Sequence, residues 1–229
     1  MHIEKLMPSI VPAEQVACLW KEYDVLIFLV DLRDYPVLDC EFLNEMEKIH
    51  FDTLKTEYFK KRYIISRIII KYLCSILKER SWCEIVTYKN EYGRVYLDGY
   101  NDLYLCISYT EHILALSLSK IKVGIDIEVI RSRSITNISK SINISLPENS
   151  TSVAAYDFFL MWTLKEAYCK FSNETMFSKL NWKLDLSEVQ NTSYIINDTY
   201  ILSLITKVDS LNINVSYLEI IDFNKILNH

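Results

Sequence analysis

The sequence predicts an α+β protein of two similar halves, each an antiparallel sheet packed with one long helix. Three observations lead there. A helical pattern runs from about Asp52 to Lys78, with Phe59, Tyr63, Ile70 and Leu73 recurring at helical spacing. A second runs from Val153 to Phe171, where Ala155, Phe158, Phe159 and Trp162 repeat with the same period. Strand-like runs flank both, so the order strand, long helix, strands occurs twice.

Taken in order, Asp24 to Leu32 (DVLIFLVDL) is a continuous apolar run of strand formers. Glu41 to His50 reads as a short helix, and the long helix that follows carries a basic cluster at Lys60, Lys61, Arg62, Arg67 and Lys71. Short strands are expected at Glu84–Tyr88, Val95–Leu97 and Leu103–Ser108. Ile113–Leu118 and Lys122–Glu128 read as a hairpin turning at Ser119 to Ile121. Arg131 to Ser152, rich in Ser, Asn and Thr, reads as a mobile loop. After the second helix, Trp182 to Ile221 offers alternating segments that read as antiparallel strands. The halves divide at 1–120 and 121–229.

Composition narrows the function. A formal net charge of −5 argues against sequence-independent nucleic-acid binding. No run approaches the ~20 apolar residues needed to span a bilayer. Glu4 and Lys5 precede any apolar run, so the start does not read as a signal peptide. The six cysteines form no C-x-x-C pair, which disfavours both a zinc site and a disulfide framework. A cytoplasmic protein with reduced thiols is expected. Only three glycines remain, Gly93, Gly99 and Gly124, so each is expected where a side chain is awkward.

Two segments carry chemistry. In Val123-Gly124-Ile125-Asp126-Ile127-Glu128, strand alternation puts Asp126 and Glu128 on one face and Ile125 and Ile127 on the other. Adjacent carboxylates raise each other's pKa unless a cation lies between them, and hard oxygen ligands of this kind suit Mg²⁺. In Trp162-Thr163-Leu164-Lys165-Glu166-Ala167-Tyr168-Cys169-Lys170, Glu166 and Lys170 share a helix face. Judged alone, the first is a pair of solvated acids and the second an exposed ion pair.

Together the segments resemble the 4′-phosphopantetheinyl transferases, and within them the surfactin-synthetase-activating type. G-I-D-I-E on a strand precedes W-x-x-K-E-x-x-x-K on a helix, with Glu166 following Glu128 by 38 positions. Glu91-Tyr92-Gly93-Arg94-Val95-Tyr96 looks like the family's glycine-basic-Pro-Tyr turn. Ile107-Ser108-Tyr109 falls where the family has Asn-Ile-Ser-His-Ser, with Tyr109 in the histidine's place. Lys61 to Arg67 resembles the basic helix of the family's first half, and the likeness covers roughly residues 40 to 190.

The resemblance implies a pseudo-duplicated fold, monomeric, with one site between the halves. It implies transfer of the 4′-phosphopantetheine arm of coenzyme A to a serine of an apo acyl or peptidyl carrier protein, releasing 3′,5′-ADP. Asp126, Glu128 and Glu166 would hold Mg²⁺, and Lys170 would neutralise the attacked phosphate. Glu166, or else Asp126, would take the serine proton. Lys48, Arg62, Lys89, Arg94, Ser108, Tyr109 and Lys170 would bind coenzyme A. Two alternatives stay open: a divergent homologue that binds a carrier without catalysis, and another Mg²⁺-dependent enzyme acting on a nucleotide pyrophosphate.

Overall fold

A computed structural model of the chain describes residues 2–36, 38, 40–131, 151–175 and 184–223. Among these lie four α-helices: α1 (Val16–Glu22), α2 (Glu45–Thr53), α3 (Glu57–Lys78) and α4 (Thr151–Ser172). The strands are β1 (His2–Leu6), β2 (Ile10–Val11), β3 (Val25–Asp31), β4 (Thr87–Lys89), β5 (Val95–Leu97), β6 (Tyr104–Thr110), β7 (Ile113–Ser119), β8 (Gly124–Val129), β9 (Gln190–Ile196), β10 (Tyr200–Thr206) and β11 (Ile213–Leu218).

The α+β class expected from the sequence is the class observed. Two sheets form, ordered β1-β9-β10-β8 and β2-β11-β3-β7-β6, with β4-β5 as a separate ribbon. They stack with α3 and α4 in the order helix, sheet, sheet, helix, and the apolar pattern of β3 explains why. Its Leu26, Phe28 and Val30 join Leu114, Leu116 and Leu118 of β7 against Ile64, Ile65, Ile68 and Ile69 of α3. Its Val25, Ile27 and Leu29 face the other way, onto Ile125, Ile127, Leu202 and Leu204 of the second sheet. A strand covered on both faces has no reason to alternate, hence its continuous apolar run. On the far side, Leu160, Leu164, Ala167 and Phe171 of α4 cover Ile201 and Ile205.

The two sheets share one local strand order. In β3-α3-β6-β7 the third strand, β7, lies between the other two, as β10 does in β8-α4-β9-β10. The outermost segments cross over: β1 pairs with β9, and β11 pairs with β3.

Several local expectations need correction. The hairpin is β6-β7, with Thr110 opposite Ile113, while β7 and β8 lie in different sheets. Its two-residue turn uses Glu111 at φ 42°, held by the Tyr58 hydroxyl donating to the Glu111 carbonyl. No glycine marked that turn, so the sequence pattern placed the reversal one strand late. β11 is parallel to β3 and not antiparallel, because it returns to the first sheet instead of continuing the second. The short helix expected from Glu41 is α2, which starts later, at Glu45. There Asn44 and Glu47 form a capping box, each side chain accepting from the other's backbone N–H at 2.9 Å. Strand β4 is shorter than expected because Trp82–Glu84 forms a 3₁₀ turn. Of the loop expected over Arg131 to Ser152, residues 132–150 lie outside the described residues, and Thr151 and Ser152 already belong to α4.

Glu47 has a second role. It is 3 % exposed, and it accepts from Lys71 Nζ of α3 at 2.6 Å and from the Thr87 hydroxyl of β4. One buried, paired carboxylate thereby ties α2, α3 and β4 together.

Candidate active site

The site forms where the open edge of β8 lies against the side chains that β6 turns toward the other sheet. β8 is the edge strand of its sheet, and its outward N–H groups need partners other than backbone. Alternate side chains of β6 supply them. Ile125 N–H donates to Cys106 Sγ at 3.3 Å, Ile127 N–H to Ser108 Oγ at 3.2 Å, and Val129 N–H to Thr110 Oγ1 at 3.1 Å. The same hydroxyls donate onward to the carboxylates, Ser108 to Asp126 Oδ1 at 2.5 Å and Thr110 to Glu128 Oε2 at 2.9 Å. Thr110 is not among the expected site residues. The period-two spacing Cys106, Ser108, Thr110 was its signal.

Asp126 and Glu128 face α4, as strand alternation required. Gly124, two residues before Asp126, lies so close to α4 that a Cβ there would stand 2.0 Å from the Ala167 carbonyl oxygen. This contact sets the height of α4 over β8 and brings Lys170 Nζ to 2.7 Å from Asp126 Oδ1. Glu166 lies one turn earlier on the same face.

Burial dominates the electrostatics. It raises the pKa of Asp126, with Lys170 opposing. Glu128 is raised by burial and by the nearby Asp126 charge. Glu166 is pushed up to about 7 by burial and by Asp126. Burial pulls the Lys170 ammonium down, but Asp126, Cys106 and Glu166 outweigh it and its pKa is raised. Lys165, the residue before Glu166, is buried, and burial lowers its pKa.

Among the described residues no three His, Cys, Asp or Glu side chains stand as a ready-made metal cluster. The donor chemistry still fits a hard divalent cation. The Asp126 charge raises the pKa of Glu128, both raise that of Glu166, and the buried Asp126 Oδ2 has no hydrogen-bond partner.

The residues expected to bind coenzyme A fall into separate groups. Ser108 and Lys170 belong to the carboxylate cluster. Arg62 stacks on Tyr109, its Cζ 4.1 Å from the ring centroid. Lys89 is lowered by burial and by its cationic neighbours Arg67 and Arg62. Arg67 itself is 3 % exposed and stacks on Tyr63, and its Nε and Nη1 have no hydrogen-bond partner. Lys48 pairs with Glu45 at 3.0 Å on α2. Arg94 is turned toward α4, donating to the Lys170 carbonyl at 2.9 Å and the Val123 carbonyl at 3.3 Å. Beside it lies a cavity of about 130 Å³ between the β4-β5 turn and the end of α4.

The chain is 29 % identical over 174 residues to the 4′-phosphopantetheinyl transferase gsp of Aneurinibacillus migulanus, covering 72 % of this chain and 70 % of that protein. The similarity is to a protein of the kind that the motifs resemble. No model of a known protein family matches it. All six cysteines are free thiols, and among the described residues no helix is long and apolar enough to cross a membrane.

Proposed function

We propose that this protein transfers the 4′-phosphopantetheine arm of coenzyme A to a serine of an apo carrier protein, releasing 3′,5′-ADP. The observation that carries the reading is the convergence of Asp126, Glu128, Glu166 and Lys170, from one strand and one helix, at the open edge of β8. Similarity to a protein named for this activity supports it.

Each residue has a role in this reading. Asp126, Glu128 and Glu166 would hold Mg²⁺, which when bound supplies Lewis acidity and charge neutralisation at a pyrophosphate. Lys170 exchanges its contact with Asp126 for a phosphate oxygen, bringing positive charge to the group under attack. Glu166, or else Asp126, would accept the serine proton, directly or through a water. Ser108 and Thr110 hold the carboxylates toward α4 so that little reorganisation accompanies the reaction. Arg62, Lys89 and Tyr109, with Lys48 on the adjoining helix, form the basic side to which the nucleotide phosphate binds. Positioning and charge neutralisation carry most of the catalysis, as in phosphoryl transfer generally.

The test is the intact mass of an apo carrier protein after incubation with this protein, Mg²⁺ and coenzyme A. A gain of one phosphopantetheine, abolished by a chelator, is the expected result. No gain across several unrelated acyl and peptidyl carriers overturns it.

A further inference from the structure

The end of α4 is held from outside the site, by the turn between β4 and β5. The last carbonyls of a helix have no intrahelical donors and need other partners. Here the Cys169 carbonyl accepts from Glu174 N–H at 2.9 Å, and Tyr168 from the Ser172 hydroxyl at 2.8 Å. The Lys170 carbonyl accepts from Arg94 Nη1 at 2.9 Å, while Arg94 Nη2 reaches the Val123 carbonyl just ahead of β8. One guanidinium thus joins the backbone of the residue bearing the ammonium to the strand bearing Asp126.

A second bond reinforces the first. Asn173 ends α4 at φ 62°, a conformation that favours glycine. Its side-chain oxygen accepts from Asn90 Nδ2 at 3.0 Å, a bond glycine could not make. Asn90 in turn builds the turn that presents Arg94, its Oδ1 accepting from Tyr92 N–H at 3.1 Å and Arg94 N–H at 2.8 Å.

We infer that Arg94 is a positioning residue that acts through Lys170, with Asn90 and Asn173 as its support, and not a direct contact of the nucleotide. This rests on the transfer reaction proposed above. The planar fork of arginine satisfies two carbonyls at once, whereas a lysine reaches one. Small misplacement of a catalytic group costs rate without weakening substrate binding in proportion.

The test compares wild type with Arg94→Met, Arg94→Lys and Asn173→Gly, the last keeping the left-handed cap while removing the amide bridge. Arg94→Met should lower kcat about tenfold or more with KM for coenzyme A within about twofold, Arg94→Lys should fall between, and Asn173→Gly should show a smaller loss of the same kind. A raised KM with unchanged kcat assigns Arg94 to the nucleotide and overturns the inference, as does no change in either constant. Hydrogen exchange in residues 167–172 of the substrate-free protein gives a readout independent of activity. Faster exchange in Arg94→Met is expected, and an unchanged rate overturns the inference. If wild type modifies no carrier, the proposed reaction fails and the exchange comparison alone decides whether Arg94 holds the helix end.

Discussion

Lys170 Nζ donates to Asp126 Oδ1 at 2.7 Å, joining α4 to β8 across 44 positions of sequence. The pair places a cation against a buried carboxylate whose other oxygen has no partner. It is the point from which the chemistry of the site can be tested.

Lys170→Ala and Asp126→Asn should each lower phosphopantetheine transfer by roughly 10²-fold or more, the loss typical of removing one preorganised charge at a transition state. Circular dichroism should show both variants folded. Turnover near wild type in either one excludes the assigned roles.

Glu166 gives a pH signature. Its ordinary value is 4.5, and the folded protein raises it to about 7. Between those values the folded protein binds more protons than the unfolded chain, so stability should fall as pH rises through this window. Asp126 and Glu128 shift in the same direction. Thermal midpoints of metal-free wild type should therefore decline from about pH 5 to about pH 7, and Glu166→Gln should flatten the slope. Equal slopes for the two proteins would show that Glu166 is not the titrating group. Mg²⁺ added near neutral pH should release protons, measurable as a buffer-dependent heat of binding.

Gly124 has no room for a side chain. A Cβ would meet the Ala167 carbonyl oxygen at 2.0 Å and the Phe171 backbone nitrogen at 2.5 Å. Gly124→Ala should destabilise by at least about 1–3 kcal/mol in urea unfolding and displace α4. An alanine variant of wild-type stability would mean that the packing of α4 on β8 is looser than described.

The Lys71–Glu47 pair is buried on both sides, with side chains 5 % and 3 % exposed. Removing one partner strands a charge, so Lys71→Met or Glu47→Leu alone should cost about 3–5 kcal/mol. The double substitution should recover part of the loss, because no unpaired charge remains. Additive losses in a double-mutant cycle would show that the two groups do not interact.

The sequence by itself determined the long helices, the central apolar strand β3, and the side-chain directions of β8. These depend on periodicity, and periodicity is local. Asp126 and Glu128 could be assigned to one face because strand side chains alternate, and Glu166 and Lys170 because one helical turn separates them. Tertiary structure alone decided the rest. The exchange of β1 and β11 between sheets depends on pairings far apart in sequence, and no local pattern records them. The β6-β7 turn was hidden because Glu111 takes a conformation for which its residue type gives no signal. The resemblance implies a coenzyme A contact for Arg94, yet its guanidinium donates to the carbonyls of Lys170 and Val123, far along the chain. Hydrogen bonds to unsatisfied helix-end carbonyls depend on where the helix stops and what lies against it, and packing alone settles both.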